Sequence, residues 1–191
     1  LAVQGKNGDR YHEGDVIYLS TFSKTLAPGF RLGWVVAPVE VIRRLVLAKQ
    51  GTDLHSNTFG QMVAYEVIRS GFLKRHVRRL RQVYRERRDT MLAAMEAYFP
   101  EGVTWTVPDG GLFLWVTLPE GMDAQELLAD AIAEKVAFVP GSAFYATGGG
   151  ANTLRLNFSN APPDKIEIGI ERLGRAIRRR MRAAVRVAMV A

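Results

Sequence analysis

The chain has 191 residues, is 48% hydrophobic and 24% charged, and carries a formal net charge of +7 with no cysteine. That length suits one sizeable domain or two small ones, and the composition is that of an ordinary globular protein. Disulfide frameworks and thiolate metal sites are excluded, and no apolar run is long enough for a membrane-spanning helix. The positive charge does not by itself indicate nucleic acid. Many of the basic residues fall in periodic segments, Lys74 to Arg88 and Arg172 to Arg186, opposite apolar stripes, as on solvated helix faces. Such a surface can still steer carboxylates toward the protein. His12, His55 and His76 are isolated, without ligand spacing, and read as surface or hydrogen-bonded side chains.

In chain order, residues 1 to 14 are rich in Gly, Asn and Asp and read as loop, with neither the basic start nor the apolar run of a signal peptide. Val16 to Leu19 is continuously apolar, the pattern of a buried strand in a parallel sheet, and Leu32 to Ala37 repeats it. Pro28-Gly29 forces a turn between them. Gly33 sits where a side chain would collide with a ligand or a neighbouring strand. The polar segment between the strands holds Thr21, Ser23, Lys24 and Arg31. It reads either as a solvated strand-to-strand loop or as an anion site, in which a lysine is also a nucleophilic amine for an aldehyde.

Pro38 opens a helix through Gln50 with Val41, Ile42, Leu45 and Val46 on its apolar face. A polar break follows, in which Ser56 and Asn57 suit a helix N-cap before a helix from Phe59 to Arg69. A single helical period then runs from Gly71 to Tyr98, about 28 residues and so about 42 Å long. Pro100-Glu101-Gly102 stops it. The period next changes to two: Val103 to Val107 and Leu112 to Val116 read as an antiparallel hairpin about Pro108-Asp109-Gly110-Gly111. Asp123 caps a helix from Ala124 to Glu134, with Glu126 at its third position. Val136 to Val139 and Leu154 to Phe158 read as strands, and Pro163 starts a closing helix bearing Ile166, Ile170, Leu173 and Ile177. Residues 178 to 191 continue its period.

Thr-Phe-Ser-Lys-Thr-Leu-Ala-Pro-Gly-Phe-Arg-Leu-Gly-Trp, from Thr21 to Trp34, resembles the cofactor-lysine signature of the class I/II aminotransferases, fold-type I pyridoxal-phosphate enzymes, in the branch of 2-aminoadipate and broad-specificity enzymes. Asp109 to Trp115, Val139 to Phe144 and Asn152 to Leu156 resemble later motifs of that family. The resemblance implies an α/β fold: the end of the large cofactor domain in residues 1–70, a long interdomain helix in 71–99, and a small α+β C-terminal domain in 100–191. It implies pyridoxal 5'-phosphate as cofactor, Lys24 as the lysine joined to it, Arg31, Thr21 and Ser23 as phosphate ligands, and Arg155 as the clamp on the substrate α-carboxylate. Ser56 and Asn57 correspond loosely to a segment near a dimer interface.

The implied reaction moves an amino group between an L-amino acid and a 2-oxo acid in a cytoplasmic homodimer. Decarboxylases, lyases and synthases of the same fold, and transcription regulators with an aminotransferase-like domain behind a DNA-binding one, are the alternatives. The aspartate that pairs with the cofactor nitrogen in this family lies well before the lysine, farther than Lys24 allows here. The chain therefore resembles a C-terminal half, and the missing N-terminal half is expected in the same or a companion chain.

Overall fold

The computed structural model describes residues 16–188; the expected loop over residues 1 to 14, with His12, lies outside them. The chain divides into two compact units at Leu80/Arg81.

In the first unit, β1 (Tyr18–Thr21) and β2 (Gly33–Val36) pair antiparallel, with Tyr18 opposite Val36 and Thr21 opposite Gly33. This corrects the expectation of buried parallel strands. The connection from Phe22 to Leu32 is too short for a parallel crossover, which needs a dozen or more residues and usually a helix. Nor are the strands buried: Leu19 is 70% exposed and Val16 53%, because the described elements of this unit leave the ribbon largely uncovered. The collision expected at Gly33 is real on the strand side, where a Cβ would stand 2.9 Å from the Ser20 carbonyl oxygen. Then come α1 (Val39–Thr52) and α2 (Thr58–Arg69), the latter capped by Asn57, whose Oδ1 accepts from the Gly60 N–H at 2.9 Å. The expected apolar face of α1 is only half realised, with Leu45 and Val46 exposed.

The helix α3 (Phe72–Tyr98) begins in the first unit and ends in the second. The second unit holds a four-stranded antiparallel sheet in the order β3-β4-β6-β5: β3 (Thr104–Trp105), β4 (Phe113–Thr117), β5 (Val139–Pro140) and β6 (Thr153–Asn157). The strand expected from Val136 is delayed to Val139, because Lys135 takes a positive φ of 62° on leaving the helix and the next residues are spent reaching the sheet edge.

Alternation decides the sheet's two faces. Leu114 and Val116 of β4 and Leu154 and Leu156 of β6 turn inward and join Met95, Leu127, Leu173 and Ile177 in the core. Each such side chain, nearly or fully buried, contributes about 1.5–3 kcal/mol. Phe113, Trp115 and Arg155 are left on the opposite face.

The core is closed by α4 (Ala124–Ala133), whose N-cap Asp123 accepts from Gln125 N and Glu126 N, and by α5 (Pro163–Ala188). Arginines of α5 clasp α4: Arg180 Nε donates to Asp130 at 2.8 Å and its Nη1 to Glu126, and Arg179 donates to Glu134 at 3.1 Å. The carboxylates beside Arg180 hold its guanidinium pKa above the ordinary value. The Arg179 hydrogen bond, aided by Arg175, holds Glu134 below its ordinary 4.5. At Gly174 the two long helices α5 and α3 approach so closely that a methyl group would overlap the Tyr98 carbonyl.

Two outcomes follow from this packing. Helix propensity favours alanine over glycine by about 1 kcal/mol, but the overlap at Gly174 is with backbone that cannot swing aside, and overpacking costs about 1–3 kcal/mol. Gly174→Ala should therefore lower the urea unfolding midpoint, against the propensity expectation. A depressed folded-state pKa stabilises above the unfolded value and is lost as pH falls through the folded one. Glu134→Gln should thus destabilise at neutral pH, and the difference from wild type in thermal midpoint should close as pH drops below 4.5.

Candidate functional site

The loop between β1 and β2 is built by its own backbone. Phe22 N–H donates to Leu32 O at 3.0 Å, closing the strand ends, and Leu26 and Ala27 N–H both turn back to Phe22 O. A single 3-10 turn (Pro28–Phe30) follows. Arg31 then adopts a left-handed backbone, φ 52°, its N–H donating to Pro28 O. An arginine there costs about 1–2 kcal/mol relative to the ordinary regions. The Phe30 ring is anchored 3.8 Å from where a Gly60 Cβ would lie, at the start of α2. Phe22 packs on Trp34 with ring centroids 4.6 Å apart.

Thr21 and Ser23 are brought together. Thr21 Oγ1 accepts from Ser23 N–H at 3.1 Å and lies 2.9 Å from both Ser23 Oγ and the Leu32 carbonyl. A hydroxyl has one proton. While Thr21 donates to Leu32, the Ser23 hydroxyl can donate to Thr21 Oγ1 or turn toward another acceptor. Lys24 is the next residue and is exposed rather than held between buried strands. Arg31 donates to Pro28 O at 3.3 Å and is otherwise exposed. From Val16 to Ala37 the sequence has no Asp or Glu, and among the described residues neither cation forms an ion pair.

Arg155 lies in the second unit, central on β6, directly opposite Trp115 on β4 and Val139 on β5. Its Cζ stands 4.0 Å over the Phe113 ring and 4.6 Å over the Phe144 ring. An open cavity of about 700 Å³ borders it and Phe113. The sequence reading singled out Arg155 but not the two phenylalanines as its neighbours. The available signal was period two: Phe113 and Trp115 share a strand face, and only the β4–β6 pairing brings Arg155 onto it.

Ser56 and Asn57 act as loop and cap residues. Ser56 O accepts from Gln61 Nε2, and the His55 ring lies 2.9 Å from the same oxygen. His76 stacks on Phe72 at 5.3 Å. Among the described residues no His, Asp and Glu group could hold a metal ion, and no helix is long and apolar enough to cross a membrane.

A sheet covered on one face by helices, joined through a long helix to a strand-loop-strand unit bearing lysine, arginine and hydroxyls, is the architecture of part of a fold-type I α/β enzyme. Residues 6–173 match the family described as aminotransferase class I and II, and the chain belongs to that family. It is 50% identical over 170 residues to "Aromatic-amino-acid aminotransferase 1" of Thermococcus litoralis, covering 89% of this chain and 41% of the relative. The structure resembles the α-aminoadipate aminotransferase LysN of Thermus thermophilus, complexed with N-(5'-phosphopyridoxyl)-L-leucine, with a TM-score of 0.83 and 46% identity over 85% of this chain and 42% of that one. An uncharacterized HTH-type transcriptional regulator of Bacillus subtilis, YisV, is 34% identical over 89% of this chain and 35% of its own length. The chain thus spans about two fifths of the length of the aminotransferases it matches.

The hydroxyl arrangement is open to a direct check. Thr21→Val removes both the acceptor for Ser23 N–H, which is exposed, and the part-buried donor to Leu32, at a cost of about 0.5–1.5 kcal/mol for each bond. Thr21→Ser keeps both. Amide hydrogen exchange at Ser23 should quicken in the valine variant and stay near wild type in the serine variant.

Proposed function

We propose that this chain supplies the lysine-bearing and carboxylate-binding parts of a pyridoxal 5'-phosphate-dependent aminotransferase, which moves an amino group between an L-amino acid and a 2-oxo acid. The observation that carries the reading is the β1–β2 loop: a primary amine, a guanidinium and two linked hydroxyls in a segment without a carboxylate. This donor set fits an aldehyde that also bears a phosphate. When bound, pyridoxal 5'-phosphate supplies that aldehyde and an electron-withdrawing ring.

Lys24 Nζ would hold the cofactor and, as a neutral amine, would take the proton from the substrate α-carbon. Arg31, Thr21 and Ser23 hold the phosphate, Arg31 by charge-assisted hydrogen bonds, and the Thr21–Ser23 hydrogen bond keeps the two hydroxyls together. Arg155 presents its fork to the α-carboxylate. Residues 1–70 serve as the end of the cofactor domain, 71–99 as the interdomain helix and 100–191 as the small domain. The activity belongs to an assembly that includes the rest of the family's length. A homodimer in the cytoplasm is the proposed form. Leu19, Phe59, Met62 and Tyr65, all at least 58% exposed, support further protein surface over the first unit.

A second reading, the aminotransferase-like domain of a DNA-binding regulator, is favoured by relatives that are HTH-type transcriptional regulators, each at most 36% identical to this chain. It predicts cofactor binding without turnover.

Reduction of the cofactor-loaded assembly with borohydride, followed by peptide mass spectrometry, should place the pyridoxyl group on Lys24. Lys24→Ala should abolish both the label and turnover. A label on Lys6 or Lys49 would overturn the assignment, and a label on Lys24 with no amino transfer to any 2-oxo acid would favour the regulator.

A further inference from the structure

Most of the arginines engaged across the second unit spend N–H donors within the fold. Arg180 donates to Asp130 and Glu126, Arg88 to the Pro108 carbonyl, Arg87 to the Ser159 carbonyl and Arg178 to the Tyr98 carbonyl. Arg155 is held differently. Its Cζ lies over two rings, 4.0 Å from the Phe113 centroid and 4.6 Å from that of Phe144, and among the described residues its donors make no hydrogen bond or ion pair. Aromatic faces attract a guanidinium through the ring quadrupole without using its N–H groups. Two rings within 4.6 Å of Cζ restrict where the guanidinium can sit without accepting from its N–H groups, which stay available to a ligand.

The two rings are themselves fixed from different parts of the chain. Phe113 belongs to β4, two residues before Trp115, the cross-strand partner of Arg155. Phe144 ends a short 3-10 turn (Gly141–Phe144) and meets Trp115 edge to face at 5.5 Å. Both ends of the stretch carrying Phe144 are pressed onto their neighbours through glycines. A methyl at Gly141 would overlap Thr153, two residues before Arg155 on β6, and a methyl at Gly150 would overlap the ring of Tyr145, which also lies against Trp115. Gly150 moreover has a φ of 66°, where a side chain is strained.

We propose that Phe113 and Phe144 are positioning residues that set the orientation of Arg155 toward a carboxylate, and that the Gly150–Tyr145 contact keeps Phe144 in place. This rests on the assignment of Arg155 to the substrate carboxylate. A leucine at either ring position keeps apolar bulk but removes the quadrupole, so the guanidinium is less restricted. Tyrosine keeps the quadrupole.

The test uses the assembled holoenzyme and two readouts: equilibrium binding of 3-phenylpropanoate, a carboxylate with no amine to react, and single-turnover amino transfer from L-phenylalanine against 2-phenylethylamine, which lacks the carboxylate. Phe144→Leu and Phe113→Leu should each weaken 3-phenylpropanoate by about 2- to 30-fold, the range a cation–π contact spans. Turnover per concentration of L-phenylalanine should fall by a similar factor. The rate with 2-phenylethylamine and the cofactor absorption band should be unchanged. Phe144→Tyr should bind 3-phenylpropanoate as wild type does, and Gly150→Ala should behave as Phe144→Leu.

Equal losses for leucine and tyrosine at position 144, or equal losses for acid and amine, would overturn the proposal. Arg155→Ala separates the two levels. If it weakens 3-phenylpropanoate while the leucine variants do not, the positioning inference fails and the carboxylate assignment stands. If it leaves 3-phenylpropanoate binding unchanged, both fail.

Discussion

The second unit depends on the two-residue period of β4 and β6. Leu154 and Leu156 are anchored in a core that admits no water, so the residue between them has no choice but the opposite face. That constraint lifts a charged side chain out of an apolar interior, where it would need a partner, and delivers it beside Phe113 and Trp115. The helices beneath are the reason the placement is firm. Shifting the β6 register by one residue would bury Arg155 and expose two leucines, a loss of several kcal/mol at about 1.5–3 kcal/mol per leucine before the cost of the buried charge.

The first unit follows other rules. Its ribbon has too little apolar cover to be fixed by burial, and the loop is organised by backbone bonds to Phe22 O and Leu32 O together with the Phe22–Trp34 contact. Local hydrogen bonds suffice to hold a polar loop in one shape at the surface, where water screens its charges. The two groups of candidate site residues thus rest on different physics: alternation over a buried core for Arg155, turn geometry for Thr21, Ser23, Lys24 and Arg31.

Much of this was legible in the residues. Helical period marked α1 to α5 nearly to their ends, Asn57 and Asp123 announced their caps, and Pro108 to Gly111 marked the hairpin. The signature from Thr21 to Trp34 named the loop. Strand direction was not legible, because continuous apolarity at Val16 to Leu19 says that both faces avoid water and nothing about which way the partner runs. Only the shortness of the Phe22 to Leu32 connection carried that information. The pair of rings beside Arg155 was hidden for a similar reason: Phe113, Phe144 and Arg155 are distant in sequence, and no local period predicts which strands become neighbours. The hydrogen bonds linking Thr21 to Ser23 and to the Leu32 carbonyl were not legible either, because they depend on how the loop folds back on the strand end.

Position 31 sets two demands that no single residue meets in full. Its left-handed backbone is easiest for glycine or asparagine and hardest for a β-branched side chain, whereas its guanidinium is one of the loop's two cations, with Lys24. A saturation library at this codon would therefore split in two. Survival of the folded chain would rank the substitutions by backbone shape, with glycine near the top and valine and isoleucine at the bottom. Under the proposed phosphate role, retention of a bound anion would rank them by charge, with lysine ahead of glycine. The disagreement between the two orderings measures how much conformational ease the loop gives up to keep a cation at that place.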